Sequence, residues 1–259
     1  MLSAILTILA YCVALLWIVP TIAYLDFNQK PNVKAVLCCG VFAVICHLIN
    51  VSHYFFVNEG QNLTIVNIGS LLSVCISAVA TIALIRWRSI WFPLSIIYLL
   101  GIITVVLSTF LEGSLIKQLS ENTGLMWHLA TAIFSYGLFF IALLYAIQLR
   151  WLNGRLKSKR VPFSPILPPL MTVERHFLTL TLVAQLFLTI TLITGSVYLH
   201  NFFAPEQIHK AIFSFMAWIV YGFLLLGLWQ FHWRGNRVLI YSISGIMLLT
   251  VAYFGSRLG

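Results

Sequence analysis

Ala35–Phe56 reads AVLCCGVFAVICHLINVSHYFF, 22 residues without a single charge. About 20 mostly apolar residues in helical form cross the hydrocarbon of a bilayer, so this stretch reads as a transmembrane helix. Its lower half holds His47, Asn50 and His53. Ionisable side chains at such depth are costly in lipid, and their presence is a functional hypothesis by default.

Seven more segments of the same kind flank it, at roughly 2–25, 63–85, 91–110, 125–149, 177–200, 210–231 and 237–256. The composition agrees. The chain of 259 residues is 61% hydrophobic and 8% charged, whereas a soluble domain carries about 25% charged residues. The expected fold class is an all-α integral membrane protein, a polytopic bundle of about eight transmembrane helices. Residues 1–259 are expected to form a single membrane domain, with its longest connections at about 111–124 and 150–176.

The charges orient this bundle. Lys30, Lys34, Arg86, Arg88, Arg150, Arg155, Lys157, Lys159, Arg160, Arg175, Arg234 and Arg237 fall on one side of the predicted spans; Lys117, Lys210 and Arg257 fall on the other, with Glu59, Glu112, Glu121 and Glu206. Basic residues mark the cytoplasmic side. Every odd-to-even connection is basic, so both termini are expected outside the cytoplasm. The net charge of +9 is then a topology signal. It does not indicate nucleic-acid binding, which needs a folded basic face to present it. The expected surroundings are the lipid bilayer.

The first span lacks a charged leading region and is too long for a cleavable signal. All five cysteines (Cys12, Cys38, Cys39, Cys46, Cys75) fall inside predicted spans without a CxxC pair, as small buried hydrophobes rather than a disulfide framework. The best internal divide is the cytoplasmic loop at about 150–176, basic and then rich in proline (Pro162, Pro165, Pro168, Pro169), which forbids a continuous helix there. Thr172 is expected to cap the sixth span.

Polar residues run in stripes. Asn67, Ser70, Ser73, Ser77 and Thr81 share a third of the circumference of the third span. His128, Thr131, Ser135 and Ala142 share a face of the fifth. Thr179, Thr181, Gln185, Thr189, Thr191 and Thr194 lie on the sixth. Two accounts stand for each: helix packing through small and hydroxylated residues, or the wall of a polar cavity.

Five of the seven histidines fall toward the outer side: His47, His53, His128, His200 and His209. His47 lies deepest, about nine residues or roughly 14 Å from the outer end of its span, and Asn50 and Tyr54 follow on its face. His128 opens the fifth span behind Trp127, an interface anchor. His200 ends the sixth span and His209 starts the seventh, so the two can approach a shared ligand. His53 is turned about 240° from His47 at 100° per residue and belongs to another face. His176 and His232 stand beside arginines on the other side. Neutral imidazole is the commonest metal ligand, and haem iron takes axial imidazoles. His47 and His128 are therefore candidate haem iron ligands, with His200 and His209 as further cofactor-binding candidates and Trp127, Tyr54 and Phe202 as apolar walls. For each, a plain structural role is the competing account. No Cys-x-x-Cys-His, HExxH, Walker or GxSxG motif is present. The predicted spans also lack the intramembrane carboxylates that ion-driven transporters use.

Several segments carry a resemblance. They are Lys210-Ala-Ile-Phe213 with Trp218-Ile-Val-Tyr221-Gly, Trp233-Arg234-Gly235, Tyr253-Phe254-Gly255, His128 with Ser135-Tyr136, and His47 with Asn67-x-x-Ser70-Leu. Together they resemble the cytochrome c assembly family, the CcsA/ResC/HemX-like membrane proteins that handle haem. Gly60-Gln-Asn-Leu, Pro168-Pro-Leu-Met and Tyr253-Phe-Gly-Ser-Arg resemble its YpjD-type branch. The chain departs from the family's haem-attaching synthases at Asn201–His209, where their tryptophan-rich segment is missing, and at Leu226, where they carry a histidine. The resemblance implies a multi-pass protein of the bacterial inner membrane. It implies non-covalent binding or handling of haem b in support of cytochrome c assembly, without covalent attachment activity. Its expected partners are haem and a cytochrome-assembly or other membrane protein. The alternative is a scaffold or regulatory subunit that binds no haem.

Overall fold

The computed structural model describes residues 1–23, 32–57, 60–111, 113, 115–117, 123–157, 168–198 and 208–255. Among them run eight long helices: α1 (Leu2–Ala23), α2 (Val33–Phe55), α3 (Ile65–Ala83), α4 (Trp91–Phe110), α5 (Thr123–Lys157), α6 (Leu170–Tyr198), α7 (Ile208–Gln230) and α8 (Asn236–Phe254). Each is long and apolar enough to cross a bilayer. The all-α membrane architecture read from the sequence therefore stands.

Two boundaries differ from the expectation. Helix α5 continues to Lys157 and α6 begins at Leu170, so both enter the stretch read as a loop. The α5 extension keeps an apolar side, with Leu152 buried, and meets no proline before Pro162. Helix α6 starts directly behind Pro168-Pro169, a position where proline's fixed φ suits a helix start. Thr172 is the third residue of that helix, not its cap.

The helices form two compact units. In the first, α1 packs on α2, α2 on α3, α3 on α4 and α4 back on α1, a closed ring of four. At one end of it lies a small antiparallel ribbon of β1 (Phe56–Val57), β2 (Gly60–Asn62) and β3 (Ile116–Lys117). Its strands are too short to leave an alternating pattern in the sequence. Gly60 takes φ +142 at the turn, a conformation that favours glycine. Asn62 ties the ribbon to the α4–β3 connection: its amide donates to the Gly113 carbonyl (2.9 Å) and its oxygen accepts from Leu115 N–H (3.1 Å). Asn67, in the first turn of α3, donates to the Tyr54 and Asn62 carbonyls.

The second unit contains α5 as far as Gly154, and α6 to α8. Helix α7 packs on α6 and α8. Ser135 of α5 donates to the Ala184 carbonyl of α6, Tyr136 of α5 meets Thr250 of α8, and Phe139 of α5 stacks on Tyr221 of α7. Large apolar side chains point outward in both units, Trp229 being 78% exposed and Leu16 72%. In a bilayer these surfaces meet lipid, and the polar groups gather inside.

Candidate functional site

In the first unit, the polar stripe of α3 is interior along its whole length: Asn67, Ser70, Ser73, Ser77 and Thr81 are all buried. Facing it stands His47 of α2, 0% exposed. Its Nδ1 lies 3.2 Å from the Tyr11 hydroxyl of α1 and its Nε2 3.1 Å from the Ser70 hydroxyl of α3. A hydroxyl both donates and accepts, so either tautomer of the ring is satisfied on both sides. Tyr11 meets the imidazole edge-on and lies against Tyr98 of α4. Tyr98 in turn bonds Thr81 (2.9 Å), and Ser73 bonds Thr104 (2.6 Å). Gly40 makes room for this layer, since a Cβ there would collide with the Tyr98 hydroxyl. Toward the ribbon end, Asn50 accepts from Ser3 (3.1 Å), while its amide nitrogen, also buried, has no partner among the described residues.

In the second unit, His128 lies in the second turn of α5, half-buried. Its Nδ1 is 3.0 Å from the Thr191 carbonyl and 3.3 Å from the Thr194 hydroxyl of α6. A carbonyl only accepts, so Nδ1 carries the hydrogen and donates. Nε2 then keeps the lone pair of a neutral imidazole, and no hydrogen bond engages it among the described residues. A backbone carbonyl behind a ligating histidine fixes its tautomer and orientation in the same way.

The other candidates separate. His209 lies in the first turn of α7 and is exposed; it shares with His128 the end of the unit where α5 starts and α6 finishes. His200 and Phe202 lie outside the described residues. His53 is exposed beside Tyr54, off the His47 face as its angle implied. Trp127 is 64% exposed, an anchor rather than a cavity wall. The α6 threonines mostly bond the carbonyl four residues back in their own helix, although Thr189 also accepts from the Trp218 indole at 2.9 Å. Among the described residues no three His, Cys, Asp or Glu side chains are grouped to hold a metal ion. A haem iron asks less, one or two imidazoles, and His128 has the donor arrangement for it. His47, as found, presents no free lone pair.

Sequence reasoning passed over Tyr11, because a tyrosine within an apolar span reads as a packing residue. Its contact with His47 joins residues 36 apart in the chain and leaves no local signal.

The Cytochrome C assembly protein family matches residues 35–259. Inner membrane protein YpjD of Escherichia coli strain K12 is 38% identical over 257 residues, covering 98% of this chain and 96% of the relative. The proteins of the same name from E. coli O6:H1 and O157:H7 match equally. No solved structure matches significantly.

Proposed function

This chain belongs to the cytochrome c assembly family, and from that premise we propose that it binds haem b non-covalently, with His128 as a residue that would hold its iron, in support of cytochrome assembly. The observation that carries the reading is the Nδ1 hydrogen bond from His128 to the Thr191 carbonyl, which leaves Nε2 available. Bound haem supplies a redox-active iron. The chain's own part is to hold the imidazole in one tautomer and to surround it with half-buried helix surface. His209, at the same end of the unit, and His200 are further residues that would contribute to holding haem. His47 is the remaining candidate ligand, and its engagement requires the bond to Tyr11 or Ser70 to open. The names of the relatives and the eight apolar helices support a multi-pass location in a bacterial inner membrane.

The test is an absorption spectrum of detergent-purified protein, oxidised and reduced, with a pyridine haemochrome assay. A stoichiometric haem b signal that disappears in His128→Ala is the expected result. Full occupancy in that variant refutes the assignment. The enclosed state of His47 favours a second reading, a membrane scaffold for a partner complex, which predicts a colourless protein even after haem is added.

A further inference from the structure

We propose that the arginine-rich end of the second unit binds one anionic phospholipid, its phosphate at the mouth of a cavity between α5, α6, α7 and α8. This site is independent of the haem reading. The cavity has a volume of about 280 Å³, at the small end of ligand pockets, enough for a headgroup and the start of an acyl chain. Buried Leu149, Phe177 and Val238 form an apolar floor, with Leu228 half-buried beside them; Arg175 and Arg234, both exposed, stand at the mouth with Glu174.

The α7–α8 turn builds one wall. Helix α7 ends at Gln230, and the Trp233 N–H returns to the Gly227 carbonyl at 3.0 Å. The Trp233 ring lies over Gly227 so closely that a Cβ there would collide with it. His232 takes φ +50 to allow the reversal, a left-handed conformation that histidine adopts more readily than most residues. Gly235, at φ +68, opens α8 without a side-chain cap, so the first-turn amides beside the cavity keep their donors, at the positive end of the helix dipole.

The charge balance points to an anion. Glu174 takes Arg234 through two bonds of 3.1 and 3.2 Å. Arg175 has no side-chain partner among the described residues, and the Arg237 guanidinium lies 6.0 Å from the Trp233 ring centroid. Two guanidiniums of the cavity lining, Arg175 and Arg234, thus stand against one carboxylate, with Arg237 beside Trp233. Guanidinium recognises phosphate oxygens in a fork, and basic pockets between helix ends are where anionic headgroups dock. The apolar floor selects the lipid over a free ion, which would use the mouth alone.

The experiment uses delipidated full-length protein in detergent. Native mass spectrometry compares retention of phosphatidylglycerol and phosphatidylcholine, and phosphatidylglycerol with brominated chains is used to quench Trp233, read as the difference from Trp233→Phe. The expected result is preferential retention of phosphatidylglycerol with quenching of Trp233. Arg175→Gln and Arg234→Gln are each expected to lower its affinity about fivefold, while Glu174→Gln raises it. A purely structural ion pair predicts the same direction of change for Glu174→Gln and Arg234→Gln, and that result overturns the proposal. Equal retention of the two lipids overturns it as well. So does binding of inorganic phosphate through Arg175 while brominated lipid leaves Trp233 unquenched, which would mark a free-anion site.

Discussion

Removing the Tyr11 hydroxyl should expose how His47 is held. Tyr11→Phe leaves Nδ1 of a wholly buried imidazole without its partner. A buried group left unsatisfied costs about 1–3 kcal/mol in a protein interior. Interhelical hydrogen bonds within membranes average only about 0.6 kcal/mol, with a maximum near 1.7. The two ranges overlap at about 1–1.7 kcal/mol, which is the loss expected here. His47→Ala removes the ring, opens a cavity and takes a partner from the Tyr11 and Ser70 hydroxyls, so a larger loss of about 2–4 kcal/mol is expected by analogy with large-to-small core substitutions. The informative quantity is the cycle. In the His47→Ala background Tyr11→Phe should cost almost nothing, because the acceptor or donor it lost is already gone, giving a coupling of about 1 kcal/mol. The assay is reversible unfolding in mixed detergent micelles with increasing SDS, followed by far-ultraviolet circular dichroism. Equal cost of Tyr11→Phe with and without His47 would refute the clamp.

Three further outcomes follow from the packing. Gly40→Ala places a methyl group against the Tyr98 hydroxyl and should destabilise the protein by about 1–3 kcal/mol; Tyr98→Phe in the same chain should restore part of the loss in thermal unfolding. Thr189→Val removes the acceptor of the Trp218 indole and should cost about 0.6 kcal/mol, accompanied by a change in intrinsic tryptophan fluorescence. A C-terminal alkaline phosphatase fusion should be active and a C-terminal green fluorescent protein fusion dark if the terminus lies outside the cytoplasm, as the basic odd-to-even connections imply; the reverse pattern rejects that orientation.

The eight spans were legible because apolar length is a one-dimensional signal, and the α3 stripe was legible because its polar residues hold one helical face. The ribbon was not: Gly60–Asn62 is held by Asn62 reaching to Gly113 and Leu115, some fifty residues away, and separation of that kind leaves no local pattern. The ends of α5 and α6 were misread for a different reason. Charge and proline between Arg150 and Arg175 look like a loop, yet only the prolines stop a helix, and arginine and lysine are good helix formers.

The histidines show where sequence reading stops. His47 and His128 are alike in type and in their polar neighbours, and depth in the span is all that the sequence offers to tell them apart. The two differ in the partners of their ring nitrogens. A carbonyl behind His128 commits one nitrogen and leaves the other as a donor to a metal, whereas hydroxyls on either side of His47 occupy both. One of those hydroxyls belongs to α1, which lies before residue 35, where the family match begins. The element that closes His47 therefore stands outside the matched stretch. Burial alone does not separate the two roles: both nitrogens satisfied is what a structural histidine requires, and a ligand role for His47 requires one of its two bonds to open.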